Sequence, residues 1–169
     1  MTESHIVADR AGRMFTLLFL ACIAIIACAL YLQHYKDLDP CPWCIAQRLD
    51  YIAIGLVALI AALWRPAGVG IAVFSFLIAL LAIAGGAAAT YHIYLQGDPE
   101  RANACTGSVL EKMLDASRLG KMIPPLLQYD GPCTLKPWSM LGLSVPEWSL
   151  VGFILVLIWA IVLPFAVRR

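Results

Sequence analysis

Charge is what this chain has least of. Asp, Glu, Lys and Arg make up 14% of its 169 residues, where a soluble domain carries about 25%. The shortage is concentrated. Met14–Leu32, Ile71–Leu95 and Ser149–Val167 contain none of the four, and Ile45–Trp64 contains only Arg48 and Asp50, both near its start. Runs this long without a polar side exclude surface helices of a soluble protein, which keep one polar face. They match the roughly 20 apolar residues needed to cross a bilayer core. A mean hydropathy of +0.82 agrees. The sequence therefore predicts an all-α integral membrane protein of one domain, residues 1–169, with four transmembrane helices near 14–32, 45–64, 71–95 and 149–167. External loops then fall near 33–44 and 96–148.

A clear small-x-small cleavage site is also missing before Gln33–Asp39. The first run of 19 residues exceeds the h-region of a signal peptide, about 7–15 residues. It is expected to stay as a helix. Pro164 falls in the last turn of the fourth run, where few backbone bonds are lost.

A strong charge excess is absent as well, the net charge being +1, so orientation is read from distribution. Arg10 and Arg13 precede the first helix, Arg65 lies in the turn "WRPAGVG", and Arg168 and Arg169 end the sequence. Seven basic residues lie on the other side, but five of them are spread along the second loop beside six acids. Weighted toward short segments at helix ends, the positive-inside rule places both termini in the cytoplasm. No nucleic-acid partner is expected.

The six cysteines follow this topology. Cys22 and Cys28 lie inside the first run, six apart and so on different helix faces, and read as small packing residues. Cys41, Cys44, Cys105 and Cys133 lie outside the spans, on the side where disulfides persist. A second close pair is lacking, since Cys105 and Cys133 are 28 residues apart. That disfavours a four-cysteine zinc site, and no metal is expected. A disulfide closing a long loop restricts the unfolded chain and suits Cys105–Cys133. Cys41–Cys44 would close almost no loop. Its Cys-x-x-Cys spacing points instead to electron exchange.

The stretch "DPCPWCIAQR" supplies the chemistry. Asp39 as N-cap and Pro40 at the first helical position would put both cysteines in a first turn, where free N–H groups and the helix dipole stabilise a thiolate. Arg48, four residues past Cys44, shares that face. The second span must begin before Arg48 to reach about 30 Å, so Arg48 sits at or inside the membrane edge. One reading is an interfacial arginine that snorkels or pairs with Asp50. The other is a donor to the carbonyl of a lipid-soluble oxidant, for which a quinone is the obvious candidate: it is apolar and takes two electrons, as many as a dithiol releases. His92, in "ATYHIYLQ", is expected level with Arg48 as a second quinone contact or as an ordinary interfacial histidine. Gly85 and Gly86 permit either close helix packing or room for a flat ring. In the second loop, "SVLEKMLDASRLGK" reads as a short amphipathic helix with a Ser108–Glu111 capping box. It lies on the outer leaflet or packs on the protein.

These segments together resemble the disulfide-bond formation protein B (DsbB) family of bacterial inner-membrane thiol oxidases. The resemblance runs through "LQHYKDLDPCPWCIAQR", "YHIYLQ", "GPC" and "WSMLGLSVPEWSLVGF". It implies a four-helix bundle, a bound ubiquinone (menaquinone being the variant), and a periplasmic thioredoxin-fold partner of the DsbA type. It also implies roles: the partner attacks a Cys105–Cys133 disulfide at Cys105, Cys133 then attacks Cys41, and Cys44 beside Arg48 passes electrons to the quinone. Two other classes compete. An outward electron conduit needs membrane cysteines with redox spacing, which Cys22 and Cys28 lack. A non-enzymatic tetraspan would use all four external cysteines structurally.

Overall fold

The computed structural model describes residues 2–36, 38–98 and 139–167, and between the last two segments Lys112, Ala116, Leu126, Tyr129, Gly131 and Cys133. Cys105 and, apart from Lys112 and Ala116, the amphipathic helix expected over 108–121 lie outside the described residues.

Four long helices account for the apolar runs: α1 (Thr2–Tyr35), α2 (Pro42–Trp64), α3 (Val69–Gln96) and α4 (Val145–Ala166). Each is long and apolar enough to cross a membrane. They pack in sequence order, α1 on α2, α2 on α3 and α3 on α4, while α1 and α4 barely touch. Buried Phe15, Ile54, Ile78 and Phe153 fill the interior, and Leu17, Leu56, Phe76 and Ile158 remain on the outside. An apolar exterior is what lipid requires, since packing rather than hydrophobicity holds such helices together.

Three boundaries differ from the sequence expectation, each for a local reason. α1 starts near the N-terminus, and its 34 residues span about 51 Å, longer than the hydrocarbon core. Its first turns run along the α2–α3 turn, where Arg65 pairs with Asp9 at 2.8 Å. Both side chains are exposed, so this pair contributes little stability. α2 starts at Pro42, not Pro40, and its N-cap is Cys41, not Asp39. The Pro40 carbonyl accepts a bond from the Gly131 N–H at 3.1 Å, which holds residues 38–40 outside the helix. α4 starts four residues before the apolar run. Ser144 and Glu147 form a capping box and a proline opens the first turn; the Ser-x-x-Glu signature was present in the sequence.

A two-stranded hairpin, β1 (Ser139–Met140) with β2 (Leu143–Ser144), precedes α4. Leu141 (φ 54°) and Gly142 (φ 82°) form its two-residue turn, the left-handed geometry that tight hairpins need. The indole N–H of Trp148 donates to the Met140 carbonyl at 3.0 Å, tying the hairpin to α4.

Gly85 serves close packing. A Cβ there would overlap the Phe153 ring, and that ring stacks on Tyr51 with centroids 4.2 Å apart. The flat ring beside Gly85 is thus the protein's own.

Candidate functional site: a buried dithiol at the mouth of a membrane cavity

Cys41 and Cys44 meet where α2 begins, as free thiols with sulfurs 3.4 Å apart. Cys41 is 2% exposed and donates to the Cys44 sulfur. That hydrogen bond, then burial, holds the Cys41 thiol far above its ordinary value. Cys44 is the hydrogen-bond acceptor of the pair. As N-cap, Cys41 gives its carbonyl to the first helical bond, from Ile45 N–H at 3.1 Å, which places Cys44 alone in the first turn.

His92 comes from the end of α3 and is 3% exposed. Its Nε2 is 3.5 Å from the Cys41 sulfur, and its Nδ1 is 4.0 Å from the Cys44 sulfur. The Gln47 amide nitrogen lies 3.3 Å from Nδ1. If that nitrogen donates, Nδ1 accepts and Nε2 carries the proton toward Cys41. The sequence placed His92 at the depth of Arg48. The structure puts its ring against the sulfurs.

Arg48 is 7% exposed. It does not reach for Asp50. It donates to Gln33 Oε1 at 2.7 Å and to the Leu126 carbonyl at 3.0 Å, so it joins α1, α2 and the second loop. A buried charge is tolerated because these partners replace water. Two of its five N–H bonds are thus engaged.

The second loop docks over the dithiol at three described points. Leu126 and Tyr129 pack on Ile45 of α2. Gly131 lies so close to the first loop that a Cβ would overlap the Asp39 carbonyl. Cys133, 1% exposed and disulfide-bonded, shares one small cluster with Cys41 and Leu95. The structure thus brings Cys41, Cys44, Arg48, His92 and Cys133 to one end of the bundle.

A cavity of about 430 Å³ opens beside them. Ile25, Ala29 and Leu32 of α1 form one wall, and Val151 and Leu155 of α4 the other. Cys44, Gln47, Arg48 and His92 line it from α2 and α3. It lies in the gap that the scarce α1–α4 contact leaves. Its size falls within the range of small-molecule sites. Sequence reasoning missed Gln33, Gln47 and Gly131. Gln47 alone carried a local signal, three residues after Cys44 and therefore on the same helical face.

Cys22 packs against Gly55, whose Cβ position is 3.3 Å from the Cys22 Cβ. Cys28 instead lines the cavity. Replacing both with alanine should leave turnover within about threefold of wild type, because among the described residues no hydrogen bond joins either sulfur to the dithiol network and small trimming has modest effects. Steady-state rates on correctly inserted protein check this; loss of turnover would assign these sulfurs a redox role.

A buried dithiol, a docked disulfide and an adjoining apolar cavity in a bundle of membrane-length helices are the parts a membrane thiol–disulfide oxidoreductase would need. Comparison with known proteins specifies it further. Residues 11–163 match the family model for "Disulfide bond formation protein DsbB". Disulfide bond formation protein B 1 of Pseudomonas aeruginosa is 40% identical over 151 residues, covering 89% of this chain and 92% of that protein. The Hahella chejuensis disulfide bond formation protein B is 40% identical over 148 residues (87% and 90%). That of Azoarcus sp. is 39% identical over 140 residues (83% and 84%). The chain belongs to the DsbB family, and it is a multi-pass membrane protein of disulfide-bond formation.

Proposed function

We propose that this chain oxidises a periplasmic, DsbA-like thioredoxin-fold dithiol and delivers the electrons to a membrane quinone. The observation that carries the reading is the placement of one dithiol between two exits. On one side Cys41 is buried in the cluster of the disulfide-bonded Cys133, with Cys44 packed against it; on the other, both cysteines line the cavity.

The exchange balances as follows. A partner thiolate attacks the second-loop disulfide, taken as Cys105–Cys133, and forms a mixed disulfide at Cys105. Cys133 leaves as a thiolate and attacks the Cys41–Cys44 disulfide at Cys41, displacing Cys44. The partner's second thiol and Cys105 then resolve both mixed disulfides. The net result is an oxidised partner, a restored second-loop disulfide, and a Cys41–Cys44 dithiol holding two electrons and two protons. Thiolate attack on an accessible disulfide is general chemistry.

The residues at the cavity fit a quinone headgroup. The walls are apolar, and Arg48, Gln47 and His92 offer polar groups beside Cys44. A bound quinone supplies a two-electron, two-proton acceptor. Arg48 would donate to a ring carbonyl, and His92, within reach of both sulfurs, would move a proton from the dithiol. The basic residues of the termini and the α2–α3 turn support both termini on the cytoplasmic side, and the family supports the bacterial inner membrane as the setting of this proposal.

The test is quinone absorbance with reduced partner as donor. Arg48→Lys should raise the apparent quinone KM about tenfold, about 1.4 kcal/mol if KM tracks affinity, because lysine lacks the planar fork of donors. Arg48→Ala should be worse. An unchanged KM for Arg48→Ala in folded protein would confine Arg48 to bracing Gln33 and Leu126 and make His92 the next residue to test. No thiol-dependent quinone reduction by wild type would overturn the reading.

A further inference from the structure

We propose that the reduced Cys41–Cys44 pair, together with His92, is a binding site for a thiophilic d10 cation, with Zn²⁺ as the type case. The three side chains offer ligand atoms all within 4.8 Å of one another. The spacing suits tetrahedral coordination. Zn–S bonds of about 2.3 Å and a Zn–N bond of about 2.0–2.1 Å set S···S near 3.8 Å and S···N near 3.5 Å. The sulfurs are 3.4 Å apart, and Cys41 Sγ is 3.5 Å from His92 Nε2. The third edge, Cys44 Sγ to His92 Nε2, lies within 4.8 Å, so seating the ion draws Cys44 and the imidazole together by up to about 1.3 Å against the tetrahedral S···N spacing of about 3.5 Å. Two cysteines and one histidine leave the fourth position open, as in zinc sites that admit an exogenous ligand. That position would be filled from the cavity the cysteines and His92 line.

The surroundings favour the ion. With Nε2 on the metal, Nδ1 becomes a donor. Gln47, 3.3 Å away, can turn its amide oxygen to accept that proton, the outer partner metal-bound histidines require. Two thiolates and a divalent cation sum to zero charge, so burial beside Arg48 adds no repulsion from an uncompensated cation. Binding releases both thiol protons. The sequence disfavoured a site of four cysteines; this one takes its third ligand from α3, 48 residues beyond Cys44.

The site exists in one redox state only. In the disulfide the sulfurs close to about 2.05 Å and present no thiolate. A seated ion in turn occupies both sulfurs and must leave before they can form a bond to each other. Zinc would therefore hold the centre reduced. This effect on turnover rests on the proposed electron path; the binding does not.

The experiment is Zn²⁺ titration of the purified full chain against a chromophoric chelator, with reduced and oxidised protein in parallel. Co²⁺ serves as the spectroscopic probe. Reduced wild type should bind zinc at least about 100-fold more tightly than oxidised protein. Co²⁺ should give intense tetrahedral d–d bands with sulfur-to-cobalt charge transfer. His92→Ala leaves every cysteine in place, so it separates this site from metal held by second-loop thiols. It should weaken zinc binding at least tenfold, the scale set by loss of even an outer partner. Cys41→Ser, measured alongside, should abolish the charge-transfer bands of this site. Equal zinc affinity of the two redox forms would overturn the proposal. So would wild-type affinity in His92→Ala, unaltered cobalt bands in Cys41→Ser, or weak octahedral bands in wild type. None of these readouts requires quinone reduction, so failure here and failure of the oxidase reading are distinguishable.

Discussion

Cys44→Ser should abolish quinone reduction while leaving the second-loop disulfide able to capture the reduced partner. Both cysteines line the cavity, but Cys44 is the one inside the first turn of α2 and the less buried of the two, whereas Cys41 is buried in the cluster that contains Cys133. A serine hydroxyl preserves size and hydrogen bonding but cannot form the disulfide, so no two-electron store remains at the cavity. On the proposed path, partner capture would occur on the second loop and would need only that loop's own disulfide. The measurement is quinone absorbance under turnover, paired with non-reducing electrophoresis of the trapped partner complex. Normal quinone reduction by this variant would mean that electrons leave by another sulfur. Loss of partner capture would mean that the two cysteine pairs do not act in separate steps.

Gly131→Ala should uncouple the two loops. The added methyl group would meet the Asp39 backbone carbonyl, and backbone, unlike a side-chain tip, cannot swing away. The same approach carries the Gly131 N–H bond to Pro40, so both contacts must open together. Overpacking of this kind costs about 1–3 kcal/mol, roughly 5- to 150-fold in the population of the docked loop. Cys133 would lose its place beside Cys41. Turnover driven by the reduced partner should fall at least about tenfold, whereas quinone reduction driven by a small soluble dithiol should stay within about threefold. Partner-driven turnover that matches wild type would show that docking at Gly131 does not set the exchange between the pairs. An equal fall in both assays would place the damage in the dithiol or the cavity.

The parts of this protein legible in the sequence are those with local causes. Four helices follow from apolar run length, because a span must satisfy its own backbone and meets either lipid or another apolar helix on every side. Cys44 in a first helical turn followed from a proline and a Cys-x-x-Cys, although the helix was expected to open at Pro40 and not at Pro42. Pro42 opens α2 because the Pro40 carbonyl is committed to Gly131, 91 residues away in the chain. Every other feature of the site has the same kind of cause. His92 lies against the sulfurs, Gln33 and Leu126 hold Arg48, and Phe153 fills the space at Gly85. None of these pairings leaves a mark on its neighbours in sequence. The cavity is more remote still, for it depends on α1 and α4 standing apart while each packs on another helix. Hydrophobic length says that a helix crosses the membrane. Only side-chain fit between helices says which faces meet, and therefore where the dithiol finds its histidine, its arginine and its opening to the lipid.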